Sequence, residues 1–490
     1  MNNTNNTKQA AWVAIGSLCS FGFAIVSSMI LSRYFNKADY GTYKQVMYVY
    51  TTLLTVFTLG LPQAFSFFLP RVELSQAKSL IRKITNLFFL LGGIFSSLLF
   101  VFSPQIASLL KNPDLTEAIR IFAIVPFFLL PTMGLEGILA TFKQTKFLAL
   151  YNIITNILKL LFVALPVMLK GLGYKEALWG FVLASFITFL LALYFKYMPV
   201  RNSGNVRCNT VSYKDIFSFS IPLFTASIWG IIITSTDQFF VSRYFGNEIF
   251  ADFSNGSLSL PFIGMVTSAC STVLSPVFSR LSHEHVDPYK EIYPLWKSVF
   301  EKTAKLVYPL IIYCMVFADV VMIVLYGEKY SVSSGYFRIK LIVDFFSIIV
   351  YAPLLINIGE VKKYSNVHLM VAITIVALEY LSVKTIHSPY AISWISAFCQ
   401  LGKVFALLGI VTKYFGVKLH QLFPLKLIVI IILPSLIILL LERFLIVDVF
   451  HLNSFLALVV SFFVYVAVFF CYSILIKIDY VGLIKPLIHK

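Results

Sequence analysis

The residues in this sequence best able to do chemistry are charged and amide side chains set inside long apolar runs. Lys159 stands near the middle of one run and Lys403 near the middle of another. A charge at the centre of a bilayer costs about 2.5–3.5 kcal/mol on insertion scales, so each such residue is read first as functional. Asn152 and Asn156 precede Lys159 by seven and three residues, and Ser396 and Gln400 precede Lys403 at the same intervals. On a helix those spacings share one face, so each run carries a polar stripe of ammonium and amide. A stripe of that kind is costly against lipid and is expected to face protein interior or water. Ammonium and amide donors together suit an anionic, hydroxyl-rich ligand, for which a pyrophosphate attached to sugar is a fit. The competing reading is an internal salt bridge, with Lys159 or Lys403 pairing with Glu379 or Asp344 to fix helix packing.

Other charges fall into two groups. Asp237, Asp344 and Glu379 also lie within apolar runs, and a buried carboxylate can carry H⁺ or Na⁺, so they are candidates for ion coupling. Arg33, Lys44, Arg120, Arg243, Arg338 and Lys340 sit within a turn or two of a run's end. Long cationic side chains there are expected to snorkel to the interface. Arg33 and Lys44 are retained as outer members of the candidate substrate-binding set.

The elements that must position these residues follow from composition. Of 490 residues, 59% are hydrophobic and only 12% charged, with a mean hydropathy of +0.86. That is too little charge to cover a soluble protein of this size. A spanning helix needs about 20 mostly apolar residues, and the runs are continuous rather than alternating, which excludes a transmembrane barrel. By that rule the chain is an all-α polytopic membrane protein with about fourteen spans, the first near 10–32 and the last near 452–476. Lys159 falls in the fifth (147–169), Asp237 in the seventh (216–242), Asp344 in the tenth (334–357), Glu379 in the eleventh (365–383) and Lys403 in the twelfth (389–411). The first run, Ala10 to Leu31, is longer than the ~7–15 residues of a signal-peptide core and reads as a retained helix.

The formal net charge of +17 does not mark a nucleic-acid binder, because the basic residues are dispersed among short loops. Lys and Arg favour the loops on the side of the N-terminus, including Lys8, the 71–83 segment and Lys196, Arg201 and Arg207. That bias places both termini in the cytoplasm. Six Cys residues, five inside apolar runs and the sixth at Cys208, form neither a disulfide framework nor a metal-ligand spacing. His283 and His285 read as a solvated loop, since a metal site needs three or four ligands. Catalytic motifs for hydrolysis or nucleotide chemistry are absent from the sequence, so an enzyme is not expected, and no cofactor is implied beyond the coupling ion.

The chain repeats itself. Leu31-Ser32-Arg33-Tyr34-Phe35-Asn36 closes the first span, and Val241-Ser242-Arg243-Tyr244-Phe245-Gly246 closes the seventh. Six spans separate the copies, so both halves enter the membrane in one orientation, the pattern of a parallel repeat. The expected organisation is a six-helix lobe at 1–198, a linker at 199–214, a second six-helix lobe at 215–412, and two further helices with a tail at 413–490. Two such lobes facing a shared cavity make a transporter layout.

The sequence resembles the bacterial polysaccharide flippases, the O-antigen and capsule type, within the multidrug/oligosaccharidyl-lipid/polysaccharide exporter superfamily. The residues that carry the resemblance are Leu31 to Phe35 followed by Ala38-Asp39-Tyr40-Gly41-Thr42-Tyr43 and Gly60-Leu61-Pro62. In the second half they are Ser235-Thr236-Asp237-Gln238, Ser242 to Gly246 and Leu274-Ser275-Pro276-Val277-Phe278-Ser279-Arg280. Ala251 stands where the first half has Gly41. The resemblance implies an undecaprenyl-pyrophosphate-linked oligosaccharide as substrate, flipped from inner to outer leaflet of the cytoplasmic membrane and driven by a H⁺ or Na⁺ gradient. Expected partners are that substrate, membrane lipid and other glycan-assembly membrane proteins, with no nucleic acid. The alternatives are a drug exporter of the same superfamily, whose cavity is expected to be led by carboxylates, and an integral membrane glycan polymerase or ligase, which needs a sizeable outer loop that is not seen.

Overall fold

The computed structural model describes residues 3–201, 211–284, 286–476, 478 and 480. Lys8, His285, Arg207, Cys208 and most of the expected linker have no described side chain or lie outside those residues. Among the described residues the chain is helical with no strand, as backbone groups surrounded by lipid require.

The chain divides into two compact units, 1–251 and 252–490. The first contains α1 (Asn3–Tyr34), α2 (Lys37–Thr58), α3 (Leu61–Phe68), α4 (Leu74–Val101), α5 (Ser103–Leu109), α6 (Leu115–Phe122), α7 (Val125–Leu129), α8 (Leu135–Thr141), α9 (Thr145–Lys159), α10 (Leu165–Lys170), α11 (Tyr174–Tyr197) and most of α12 (Tyr213–Gly256). The second contains the end of α12 with α13 (Pro261–His283), α14 (Tyr293–Val316), α15 (Ala318–Tyr326), α16 (Ser333–Ser347), α17 (Ala352–Asn357), α18 (Val361–Thr385), α19 (Pro389–Phe415), α20 (Leu419–Leu422), α21 (Leu425–Arg443) and α22 (Ser454–Leu475). The seventh expected span therefore groups with the helices before it, held there by polar contacts to α2.

Ten helices are long and apolar enough to cross a membrane, and three bent pairs bring the figure to at most 13 among the described residues. The segment expected at 334–357 is the one that does not qualify. It breaks into the 15-residue α16 and the six-residue α17. α16 carries Arg338, Lys340 and Asp344, and Pro353 near the start of α17 cannot continue a preceding helix.

The repeated motif has a structural meaning. Asn36, two residues past the end of α1, is extended and caps α2, its side-chain oxygen accepting from the Asp39 N–H at 2.7 Å. At the equivalent place α12 breaks at Gly246 (φ 86°, ψ 173°) and resumes helix at once. Both copies place a sharp break directly after Ser-Arg-Tyr-Phe.

Lys196, counted as a loop residue on charge alone, is buried in the first unit with 0% exposure. Its Nζ donates to the Met133 carbonyl at 2.6 Å and stands 4.9 Å from the Phe65 ring and 5.7 Å from that of Phe88. Of the outer cations, Arg338 does more than stand near a helix end: it joins an ion-paired cluster. Arg443 grips Asp319 with two hydrogen bonds of 2.7 and 2.6 Å, and Arg338 joins the same carboxylate at 3.2 Å. Those contacts, with Tyr313 donating to the Leu458 carbonyl at 2.8 Å and Tyr465 to the Pro309 carbonyl at 3.3 Å, fasten α21 and α22 to the rest of the second unit.

Candidate functional site

The candidate site is a cavity of about 230 Å³ in the first unit, walled by α1, α2, α9 and α11. Lys44 and Lys159 both line it, with Ser27, Ser28, Tyr40, Tyr43 and Asn156. Among the described residues its lining contains no carboxylate. Two ammonium groups, three kinds of neutral donor and apolar walls make a site for an anion bearing hydroxyls.

Each wall is placed by local sequence. α9 is α-helical to Lys159, and a π-helical turn over Leu160–Ala164 follows immediately. Pro166 explains it: proline lacks the N–H that the Phe162 carbonyl needs, and its ring crowds that carbonyl. The displaced Phe162 carbonyl points at Gly180 of α11, where a Cβ would lie only 1.9 Å from it. Gly180 thus permits the close approach that keeps α11 against the turn. The result sets Lys159 beside α11, its Nζ 5.4 Å from the Phe181 ring. Such π turns recur at functional sites because they re-aim the side chains around them.

α2 supplies the second cation. Its first turn is fixed by Asn36 and by Asp39, a negative charge suited to a helix N-terminus. Tyr40, Tyr43, Lys44 and Met47 then fall on the cavity face. Ser28 of α1 ties this face together, its hydroxyl 2.9 Å from the Tyr40 hydroxyl and accepting from Lys44 Nζ at 3.4 Å. Lys44 Nζ also lies 5.1 Å from the Tyr40 ring.

Three residues read from the sequence, Lys44, Asn156 and Lys159, are thus brought to one cavity. Two others are not. Asn152 is absent from the lining, and its carbonyl instead accepts from the Asn156 side chain at 2.7 Å. Arg33 is exposed at the end of α1 and also outside the lining. In the second unit, Lys403 is half-buried on α19 and Gln400 donates to Ser396 at 3.1 Å. Among the described residues Lys159 and Lys403 make no ion pair; Asp344 is held by Lys340, one turn away on α16. Glu379 is fully buried on α18, and Asp237 is half-buried on α12 with its Oδ1 accepting from the Gln238 N–H at 2.7 Å. Ser27, Ser28, Tyr40 and Tyr43 were not legible as site residues. Tyr40 and Tyr43 belong to the motif that carries the family resemblance, which was their one signal.

Comparison with known proteins bears on the family and the fold. A family model described as a polysaccharide biosynthesis protein matches residues 30–335, more than half the chain. A putative O-antigen transporter of Shigella flexneri is 24% identical over 397 residues, covering 77% of this chain and 91% of that protein. The succinoglycan biosynthesis transport protein ExoT of Rhizobium meliloti is 21% identical over 327 residues, covering 66% of this chain and 63% of that protein. Among solved structures, the lipid II flippase MurJ in an inward closed conformation superposes with a TM-score of 0.71 at 16% identity, over 96% of this chain and 99% of its own. An inward-facing multidrug resistance MATE family transporter of the MOP superfamily gives a TM-score of 0.65 at 14% identity, over 84% and 99%. The fold is that of these transporters.

Proposed function

Since the chain belongs to the polysaccharide biosynthesis protein family, we propose that it is a flippase, moving a lipid-linked oligosaccharide between leaflets of a bacterial cytoplasmic membrane. The observation that carries this reading is the cavity of the first unit, where Lys44 and Lys159 meet hydroxyl and amide groups with no carboxylate in the lining. A pyrophosphate joined to sugar presents the matching chemistry, charge for the ammonium groups and hydroxyls for the rest. The names of the O-antigen and succinoglycan transport relatives support the same substrate class. A drug exporter for cationic compounds is the second reading, and the cationic lining weighs against it.

Lys403 and Gln400 on α19 are carried in the proposal as second-unit contacts to substrate. The basic residues on the N-terminal side support a cytoplasmic placement of both termini. The work of transport is drawn from a H⁺ or Na⁺ gradient acting at a buried carboxylate. Glu379, fully buried on α18, is the first position to test. No covalent chemistry on the glycan is proposed.

A deletion strain tests the reading. Lipid-linked oligosaccharide is expected to accumulate on the cytoplasmic face, to clear when the wild-type chain is returned, and to persist with Lys159→Ala. Normal surface glycan in the deletion strain overturns the transport role. Full rescue by both Lys159→Ala and Lys44→Ala overturns the site while leaving the role standing.

A further inference from the structure

α21 is apolar along most of its length and carries Glu442 in its last turn. The Glu442 side chain is folded inward and the residue is 7% exposed. Among the described residues neither of its carboxylate oxygens has a hydrogen-bond partner. The donors around it are spent elsewhere. Arg443 gives two hydrogen bonds to Asp319 and one of 2.8 Å to the Val316 carbonyl. Tyr313 of α14 and Tyr465 of α22 stand near enough to feel a charge on Glu442. Tyr313, however, donates to the Leu458 carbonyl, and Tyr465 lies between the Pro309 carbonyl at 3.3 Å and the Ser435 hydroxyl at 2.9 Å. Ser461 and Ser435 in turn donate to the carbonyls of Leu458 and Ile431, at 3.2 and 2.6 Å. The rings of Phe317, Phe462 and Phe469 pack against the two tyrosines. Two residues beyond Glu442 the α-helix gives way to a π-helical stretch, Phe444–Val449.

An ionised carboxylate enclosed without donors is costly, and such a group gives up its charge instead. We propose that Glu442 is a proton-binding site, held as the carboxylic acid in this structure and releasing its proton to water when the end of α21 opens. In that step the acid O–H bond breaks, the proton passes to a water molecule as hydronium, and the carboxylate keeps the electron pair. The way out is short. The cluster of Arg443, Arg338 and Asp319 is partly exposed, so solvent reaches to within one residue of the enclosed acid. The π-helical stretch, where the regular hydrogen-bond ladder is already interrupted, is the part of the helix able to yield. The titratable and charged groups around Glu442 are Tyr313 and its neighbour Cys314 on α14, Tyr465 on α22 and Arg443 on its own helix. Through Arg443 they include Asp319 of α15, Arg338 of α16 and Asp448 of the π-helical stretch. A lone carboxylate whose hydroxyl neighbours are committed lacks the oxygen cage that a hard metal cation requires, which favours H⁺ as the ligand. The inference rests on the transport reading for its role in coupling, where it adds a carboxyl on α21 to Glu379 on α18. Its first test does not require substrate.

The full chain is reconstituted in vesicles and treated with dicyclohexylcarbodiimide, an apolar reagent that couples to protonated carboxyl groups in membranes. Peptide mass spectrometry then reads modification at position 442. The adduct is expected at pH 6 and should fall at least about tenfold by pH 9, as the proton is lost. Glu442→Gln gives no adduct at that position. Absence of the adduct at every pH, or an adduct indifferent to pH, overturns the proton site. The second arm imposes a pH gradient on the vesicles and follows oligosaccharide-lipid translocation. The wild-type chain should be accelerated by the gradient. Glu442→Gln should lose that response, and Glu442→Asp should regain it, with the unfolding midpoint of the Gln variant held or raised. A Gln variant that keeps the full gradient response, or that only lowers the midpoint, overturns the coupling role and makes Glu442 a packing residue. If the wild-type chain translocates nothing, the transport reading fails, while the carbodiimide result still decides the proton site.

Discussion

Lys196 and Lys159 make an instructive pair. Both lie in the first unit, in helices otherwise apolar, and both stand near phenylalanine rings. Lys196 is enclosed completely, its ammonium spent on the Met133 carbonyl and two rings. Lys159 faces a cavity that also holds Lys44 and no carboxylate. A charge within the membrane region is therefore not in itself the mark of a site. Open space beside the charge is what separates the cavity-lining lysine from the packed one.

The largest expected effect tests the packed member. Lys196→Ala removes a fully buried stem and leaves the Met133 carbonyl without its donor, and should destabilise the protein by roughly 2–4 kcal/mol. The measurement is the thermal unfolding midpoint in detergent, with transport per folded molecule largely kept. The open member should behave in the opposite way. Lys159→Met keeps the volume and removes a charge with no ion pair. Its unfolding midpoint should hold or rise, while transport falls about 10–100-fold, the scale of a lost charged hydrogen bond of roughly 1.5–3 kcal/mol. A loss of stability without loss of transport would place Lys159 beside Lys196 and erase the distinction.

The Asp319 cluster sharpens the comparison from the second unit, because there the cations are matched by a carboxylate. Asp319→Ala strands Arg443 and Arg338, and should cost roughly 2–3 kcal/mol in unfolding experiments. That is below the ~3–5 kcal/mol of a fully buried pair, since these side chains are partly exposed. The α21–α22 end of the unit should become more sensitive to protease. The smallest effect belongs to the Lys175–Glu117 pair, with side chains 42% and 61% exposed. Glu117→Gln should leave both the unfolding midpoint and transport unchanged, as solvent-exposed pairs usually do.

These contrasts mark what could be read without coordinates. The spacing of Asn156 and Lys159 placed both on one helix face, and they do share a cavity. Asn152, on the same stripe, spends its carbonyl on Asn156 and lies outside the lining, because a stripe is wider than the opening it faces. Lys44 was visible only as a cation near a helix end. Its place became visible only with Ser28 of α1 and Tyr40, one turn back on α2, beside it and Lys159 of the distant α9 in the same cavity lining. Lys196 was misplaced for the same reason: near a span's end, charge alone does not distinguish a loop residue from one folded beneath its neighbours.

The sequence by itself determined the helical membrane class, the long apolar runs and the repeated break after Ser-Arg-Tyr-Phe. Hydropathy and local backbone preference act over one or two helical turns, and those need no partner to be read. Only the tertiary structure decided that α12 groups with the first unit, that 334–357 splits into two short helices, and which lysines are packed and which open. Each of those outcomes depends on contacts between residues tens to hundreds of positions apart, such as Gln45 with Ser242 and Lys196 with Met133. Their strength lies in geometry that no single stretch of chain contains.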